Sequence, residues 1–126
     1  MILNIHESEE NYLETIFFLN KNQTNIRAID IVRELEFSKP SVSVAMKNLR
    51  QKGYIVIENG GFIKLTPEGL KIAERVYERH ILITDFLSEI GVDKKTASED
   101  ACRIEHVISE ESFNALKELM KKINKF

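Results

Sequence analysis

The segment DACRIEHVIS, residues 100–109, carries the chain's single cysteine, a glutamate and a histidine at Cys102, Glu105 and His106. Side chains three and four residues apart share one face of an α-helix, so on a continuous helix the thiol, carboxylate and imidazole point the same way. A soft sulfur, a hard oxygen and a borderline nitrogen together make a donor set for a divalent transition metal. The same groups suit nucleophilic catalysis less well. Cys102 as nucleophile, His106 as base and Glu105 as orienting group would leave one helix in parallel, and no glycine-rich oxyanion loop or nucleophile turn accompanies them. No enzyme is expected. Taken singly, Cys102 also reads as a small buried hydrophobe, and Glu105 with His106 as a surface pair. Those plainer readings must all hold at once to account for three ligand types within one turn.

The rest of the chain bounds what such a site can belong to. With 126 residues, 43% hydrophobic and 30% charged, there is material for one small domain plus a helical appendage, and too much Ile, Leu, Val and Phe for disorder. One cysteine cannot form an internal disulfide, and the N-terminus MILNIHESEE has no basic run followed by an apolar one. A cytoplasmic protein with no membrane partner and no small-molecule substrate is expected. Charge is unevenly spread. Residues 1–20 hold four glutamates and no Lys or Arg, whereas residues 21–56 carry a net +4. A basic middle after an acidic start suits a polyanion-facing segment joined to a cation-binding one.

Periodicity supplies the elements. A first helix is expected from Ser8 as N-cap through Leu13, Ile16 and Phe17, running out near NKNQTN. IRAIDIVREL, after Asn25, reads as a short amphipathic second helix. In SKPSVSVAMKNLRQKG, Ser38 is a natural N-cap, Pro40 falls where a missing N–H costs nothing, and Gly53 is the expected residue after the C-cap. YIVIE and FIKLT, separated by NGG, form a hairpin signal. A fourth helix starts at Thr66 and Pro67 and stops at Gly91; a fifth is expected from Lys94 to Ile108 behind Asp93, and a sixth from Glu110 to about Lys122 behind Ser109. The expected fold is mainly α with a small β-hairpin wing: a winged helix-turn-helix DNA-binding domain over 1–74, then an all-helical metal-binding and dimerisation domain over 75–126.

In a helix-turn-helix the second helix of the pair enters the major groove and offers its N-terminal half to base edges. Its outward set here is Ser38, Lys39, Pro40, Ser41, Ser43, Lys47 and Arg50, while Val42, Met46 and Leu49 form the core stripe. Val44 falls between the two sets and can meet a thymine methyl. Lys47 and Arg50 reach phosphates, contacts that supply affinity without sequence and make binding steeply salt-dependent. Lys64 and the Asn59–Gly61 tip can set the wing on the flanking backbone. A metal-independent winged-helix regulator or protein-binding adaptor remains the alternative from another class.

Four segments, ENYLETIFFL, KPSVSVAMKNLRQKGYI, LTPEGLKIAERVYERH and EDACRIEHVISEES, resemble the diphtheria-toxin-repressor family of metal-dependent transcriptional regulators, and the likeness covers nearly the whole chain. The ACRIEHV turn is most similar to the iron-responsive branch. The resemblance implies a homodimer joined through its C-terminal helices, attaching to double-stranded operator DNA when divalent metal is bound. It places Cys102, Glu105 and His106 on ligand positions, and His80 on a histidine that serves a second metal. Glu14 falls on a first-helix ligand of the manganese-responsive members, and Asn11 stands where iron members show Met and manganese members Asp. Thr84 and Ser98 replace a Glu and a His of the iron-responsive members, so the ancillary site of that branch is not expected here in that form.

The mechanism this implies is a metal clamp between the first helix and the dimer-forming segment that fixes the spacing of two recognition helices. The thiol argues for Fe(II) over Mn(II), while the oxygen donors of Glu14 and Asn11 pull back toward manganese.

Overall fold

The computed structural model describes residues 5–124, with side chains from residue 7 onward. The chain divides into two units, Met1–Glu74 and Arg75–Phe126. The elements are α1 (Ile5–Asn22), α2 (Ala28–Leu35), α3 (Lys39–Gln51), β1 (Ile55–Ile57), β2 (Ile63–Leu65), α4 (Pro67–Glu89), α5 (Lys94–Ile104) and α6 (Glu110–Ile123). The order helix, helix, turn, helix, two-stranded wing and then helices matches the expected mainly α class with a winged helix-turn-helix. Among the described residues no helix is long and apolar enough to cross a membrane.

The first unit is built on one apolar cluster: Leu13 and Ile16 from α1, Ile31 from α2, Val42, Met46 and Leu49 from α3, Ile55 and Ile63 from the wing, and Ala73 from α4. Between α2 and α3 lie only Glu36, Phe37 and Ser38. Glu36 takes φ 57°, in the left-handed region, while its N–H closes on the Val32 carbonyl and so ends α2. Phe37 then meets Tyr12 edge to face at 5.9 Å, which lends the tight turn apolar support from α1. Ser38 caps α3 by accepting from the Ser41 N–H at 3.3 Å. At its far end the Tyr54 N–H reaches the Leu49 carbonyl and the Gly53 N–H the Arg50 carbonyl. That pair of bonds is a Schellman motif, and it needs the φ of 82° that Gly53 supplies.

The wing is antiparallel, pairing Ile55 with Leu65, Val56 with Lys64 and Ile57 with Ile63. Gly69, in the first turn of α4, packs directly against it: a Cβ there would lie 2.0 Å from the Tyr54 carbonyl oxygen. Thr66 ties the same corner by donating to the Gly53 carbonyl at 2.6 Å and accepting from the Gly69 N–H at 3.2 Å.

Three boundary expectations need correction. The first helix begins at Ile5, so Ser8 lies within it rather than capping it. Ile26 is outside α2; fully buried, it offers its carbonyl to the Ile63 N–H at 2.9 Å, and sheet-like pairing with the wing takes precedence over helix extension. α2 starts instead behind Arg27, whose N–H bonds the Asp30 carboxylate at 2.8 Å. Finally, α5 ends at Ile104, with Glu105 as its C-cap, four residues short of Ile108.

In the second unit, Ala97 and Ala101 are buried one turn apart on α5, leaving no side-chain bulk on that face to hold neighbouring backbone away. Val76, Ile83, Phe113 and Met120 complete its buried apolar set. Ser109 caps α6 by accepting from the Ser112 N–H at 3.1 Å, and Lys117 pairs with Glu78 at 2.8 Å.

Candidate metal centre

Glu105 is the hub of the polar chemistry in the second unit. Its side chain is fully buried. One carboxylate oxygen lies 2.8 Å from His80 Nδ1 and the other 3.4 Å from His106 Nε2, and the His106 side chain is only 1% exposed. His80, Cys102 and Glu105 present donor atoms that all fall within 4.8 Å of one another. Atoms bound to one ion at about 2.0–2.3 Å are at most about 4.6 Å apart, so a transition metal fits this trio with little adjustment. Taking a carboxylate out of water costs several kcal/mol, roughly, and a divalent ion shared with the neighbouring imidazoles is one way to offset that cost.

This grouping keeps one pair expected from spacing, Cys102 with Glu105, and adds a residue of another helix. Glu105, the C-cap of α5, keeps right-handed helical backbone and donates its N–H to the Ala101 carbonyl, so it still shares a face with Cys102 as the spacing predicts, whereas His106 lies beyond the helix and is not in the trio. The Glu105 side chain is fully buried, His106 follows in the turn, and Cys102 is exposed. The thiol also groups with His80 of α4. The readings of Cys102 as a buried hydrophobe and of Glu105 with His106 as a surface pair both fall.

Two residues not assigned a part from the sequence shape the centre. Ser98, one turn before Cys102, places its hydroxyl 3.4 Å from His80 Nε2, so both ring nitrogens of His80 have a polar neighbour. Arg79 donates from Nη1 to the carbonyls of Glu105 at 3.2 Å and Ile108 at 2.8 Å. Nothing in the sequence singles it out, since Glu74, Arg75 and Glu78 are charged neighbours on the same helix. In the first unit, Asn11 and Glu14 both lie on α1, Glu14 buried and Asn11 partly so, and the Asn11 carbonyl accepts from the Thr15 hydroxyl at 2.8 Å.

Ser38, Lys39, Pro40, Ser41, Ser43, Val44, Lys47 and Arg50 are all exposed on α3 and its cap. Val44 is 59% exposed, far beyond what a core valine would be. Lys64 is the exception among the basic residues expected to face outward: its ammonium donates to the Thr24 carbonyl at 3.1 Å and so anchors the wing to the loop before α2.

Two family descriptions match the chain: an iron-dependent repressor N-terminal DNA-binding domain over residues 4–61, and an iron-dependent repressor metal-binding and dimerisation domain over 66–125. An uncharacterised HTH-type transcriptional regulator of Methanocaldococcus jannaschii is 36% identical over 118 residues, covering 92% of this chain and 94% of that protein. The HTH-type transcriptional regulator MntR of Lysinibacillus sphaericus is 34% identical, covering 90% and 81%. Among solved structures, T. acidophilum IdeR matches with a TM-score of 0.83 at 28% identity over 95% of this chain and 56% of that one. The manganese regulator SloR matches at 0.81 and 25%, over 96% and 55%. This chain thus spans about half the length of those two solved regulators.

A winged DNA-binding module followed by metal-binding and dimerisation helices defines a metal-dependent transcriptional regulator. The chain belongs to the iron-dependent repressor family, the group of diphtheria-toxin-repressor and MntR proteins that its motifs resemble.

Proposed function

We propose that this regulator acts in the cytoplasm as a homodimeric repressor that attaches to operator DNA when Fe(II), in preference to Mn(II), is held by His80, Cys102, Glu105 and His106, with Glu14 and Asn11 of α1 as further donors. The observation that carries the metal preference is the thiol of Cys102 within 4.8 Å of an imidazole and a carboxylate donor. Sulfur, nitrogen and oxygen together suit Fe(II) and its later neighbours better than Mn(II), which favours oxygen and nitrogen. When bound, a divalent cation supplies the positive charge that draws a thiolate, a carboxylate and imidazoles together. Glu105 orients His80 through one oxygen at 2.8 Å and presents the other 3.4 Å from His106 Nε2, and Ser98 orients His80 from the other side. On α3, Ser41, Ser43 and Val44 read base edges, Ser38 and Pro40 set the helix start against the groove, and Lys39, Lys47 and Arg50 bind phosphates. The parts given to Glu14 and Asn11, and the coupling of α1 to metal occupancy, rest on the sequence resemblance.

The manganese reading has its own support in the oxygen donors of α1 and in the likeness to the manganese regulator SloR. An anaerobic titration decides. Chelated protein on operator DNA is given Fe(II), Mn(II) or Zn(II), and Fe(II) is expected to restore binding at the lowest concentration. Cys102→Glu should move the preference toward Mn(II). Tightest binding with Mn(II) in the unaltered protein would replace the iron assignment, and DNA binding indifferent to chelator would leave a metal-independent regulator or adaptor. Glu14→Ala with undiminished metal response would remove α1 from the scheme.

A further inference from the structure

Arg79 touches three parts of the second unit with one side chain. Its Nη1 donates to the carbonyls of Glu105 and Ile108, and its guanidinium lies over the Phe113 ring of α6, 5.4 Å from the centroid. The two carbonyls bracket the turn that carries Glu105 and His106, and Ile108 immediately precedes Ser109, the N-cap of α6. That turn begins at the C-terminus of α5, where carbonyl groups lack helical partners and the macrodipole is negative, so a planar cation is the matching cap. Arg79 offers no lone-pair donor atom that a metal can use.

We infer that Arg79 is the positioning residue of the metal centre: it fixes the backbone of the 105–108 turn, and through Phe113 it ties that turn to α6. The inference rests on the proposed metal centre and adds to it a mechanical link between the ligand turn and a helix that supplies no ligand. It also makes a prediction of sign. On charge alone, removing a cation near a cation site strengthens metal binding; if Arg79 positions the ligands, removing it weakens metal binding.

Full-length apo protein is titrated anaerobically with Co(II), followed by its ligand-field bands and by the sulfur-to-cobalt charge-transfer band expected from Cys102. Arg79→Met, which keeps the stem and loses both carbonyl bonds, should bind Co(II) about 10- to 100-fold more weakly while its helical circular dichroism stays at the wild-type level. Arg79→Lys, which cannot fork across two carbonyls, should fall between. Phe113→Leu should weaken Co(II) binding about 2- to 5-fold although it alters no donor. A folded Arg79→Met that binds Co(II) as tightly as wild type, or more tightly, overturns the inference. If Arg79→Met does not fold, wild-type affinity in both Arg79→Lys and Phe113→Leu overturns it, and weakened affinity in either supports it. Glu105→Ala run alongside separates the two levels. Retained Co(II) affinity there sinks the metal centre itself, whereas its loss beside unaffected Arg79 and Phe113 variants sinks only the role of Arg79.

Discussion

Glu105→Gln removes one negative charge from a side chain with no exposed surface and leaves its shape in place. Without metal the variant should be at least as stable as the wild type, because an amide can still hydrogen-bond the imidazole that sits 2.8 Å from the carboxylate and no longer buries a charge. Exchanging one buried hydrogen bond for another changes stability by roughly 1 kcal/mol or less. With metal the two proteins separate. Loss of an anionic donor should weaken the site by about 100-fold or more, the upper end of what even outer-sphere partners of metal sites contribute. At a Co(II) concentration 100 times the wild-type dissociation constant, binding stabilises the wild-type fold by about 2.7 kcal/mol, whereas a site weakened 100-fold gains only about 0.4 kcal/mol. For a chain of this length each kcal/mol moves the melting temperature by roughly 3–5 °C, so the wild type should rise by about 10 °C and the variant by about 1–2 °C. Thermal unfolding followed by circular dichroism, with and without Co(II), reads the difference directly. Equal Co(II)-induced shifts in the two proteins would refute Glu105 as the hub of the centre.

Gly69→Ala should cost several kcal/mol, roughly, and disorder the wing, since the added Cβ meets the Tyr54 carbonyl oxygen at 2.0 Å and backbone must move to admit it; chemical denaturation measures the loss. Lys47→Ala should weaken DNA binding about equally on specific and nonspecific sequences and lower the salt slope by about 1, as fluorescence anisotropy across a salt series will show. Burial pushes the Tyr12 phenol above its ordinary value of 10.0. A group whose proton is held more tightly in the folded state contributes stability that is present below the unfolded value and is lost as pH rises through the folded one. Denaturation midpoints of the wild type should therefore fall above about pH 10 more steeply than those of Tyr12→Phe, and parallel curves would refute the burial argument.

What could be read from the chain and what could not divide along the range of the interactions involved. Ser38 as the cap of α3 and Gly53 as its terminator were legible because each acts within a few residues: a hydroxyl reaches an amide three positions on, and a glycine takes the left-handed φ that a Schellman motif demands. The strand pair was legible for the same reason, its turn residues lying between the two runs that they join. The end of α5 was not. The residues from Lys94 to Ile108 carry no proline or glycine to stop a helix, and the turn is instead met by Arg79, which reaches the Glu105 carbonyl from 26 positions upstream. Ile26 was misplaced in the same way, since its carbonyl answers an amide at Ile63 that no local pattern announces. The metal residues show both effects together. Their chemical types were visible in the sequence, and so was His80 as a member of the set. Their grouping was legible only in part: Cys102 and Glu105, three residues apart, do fall in one group, but the third member is His80 of α4, which no local spacing announces, and not the adjacent His106. The types of the candidate donors are thus a local property of this chain, whereas their grouping depends on helices far apart in sequence.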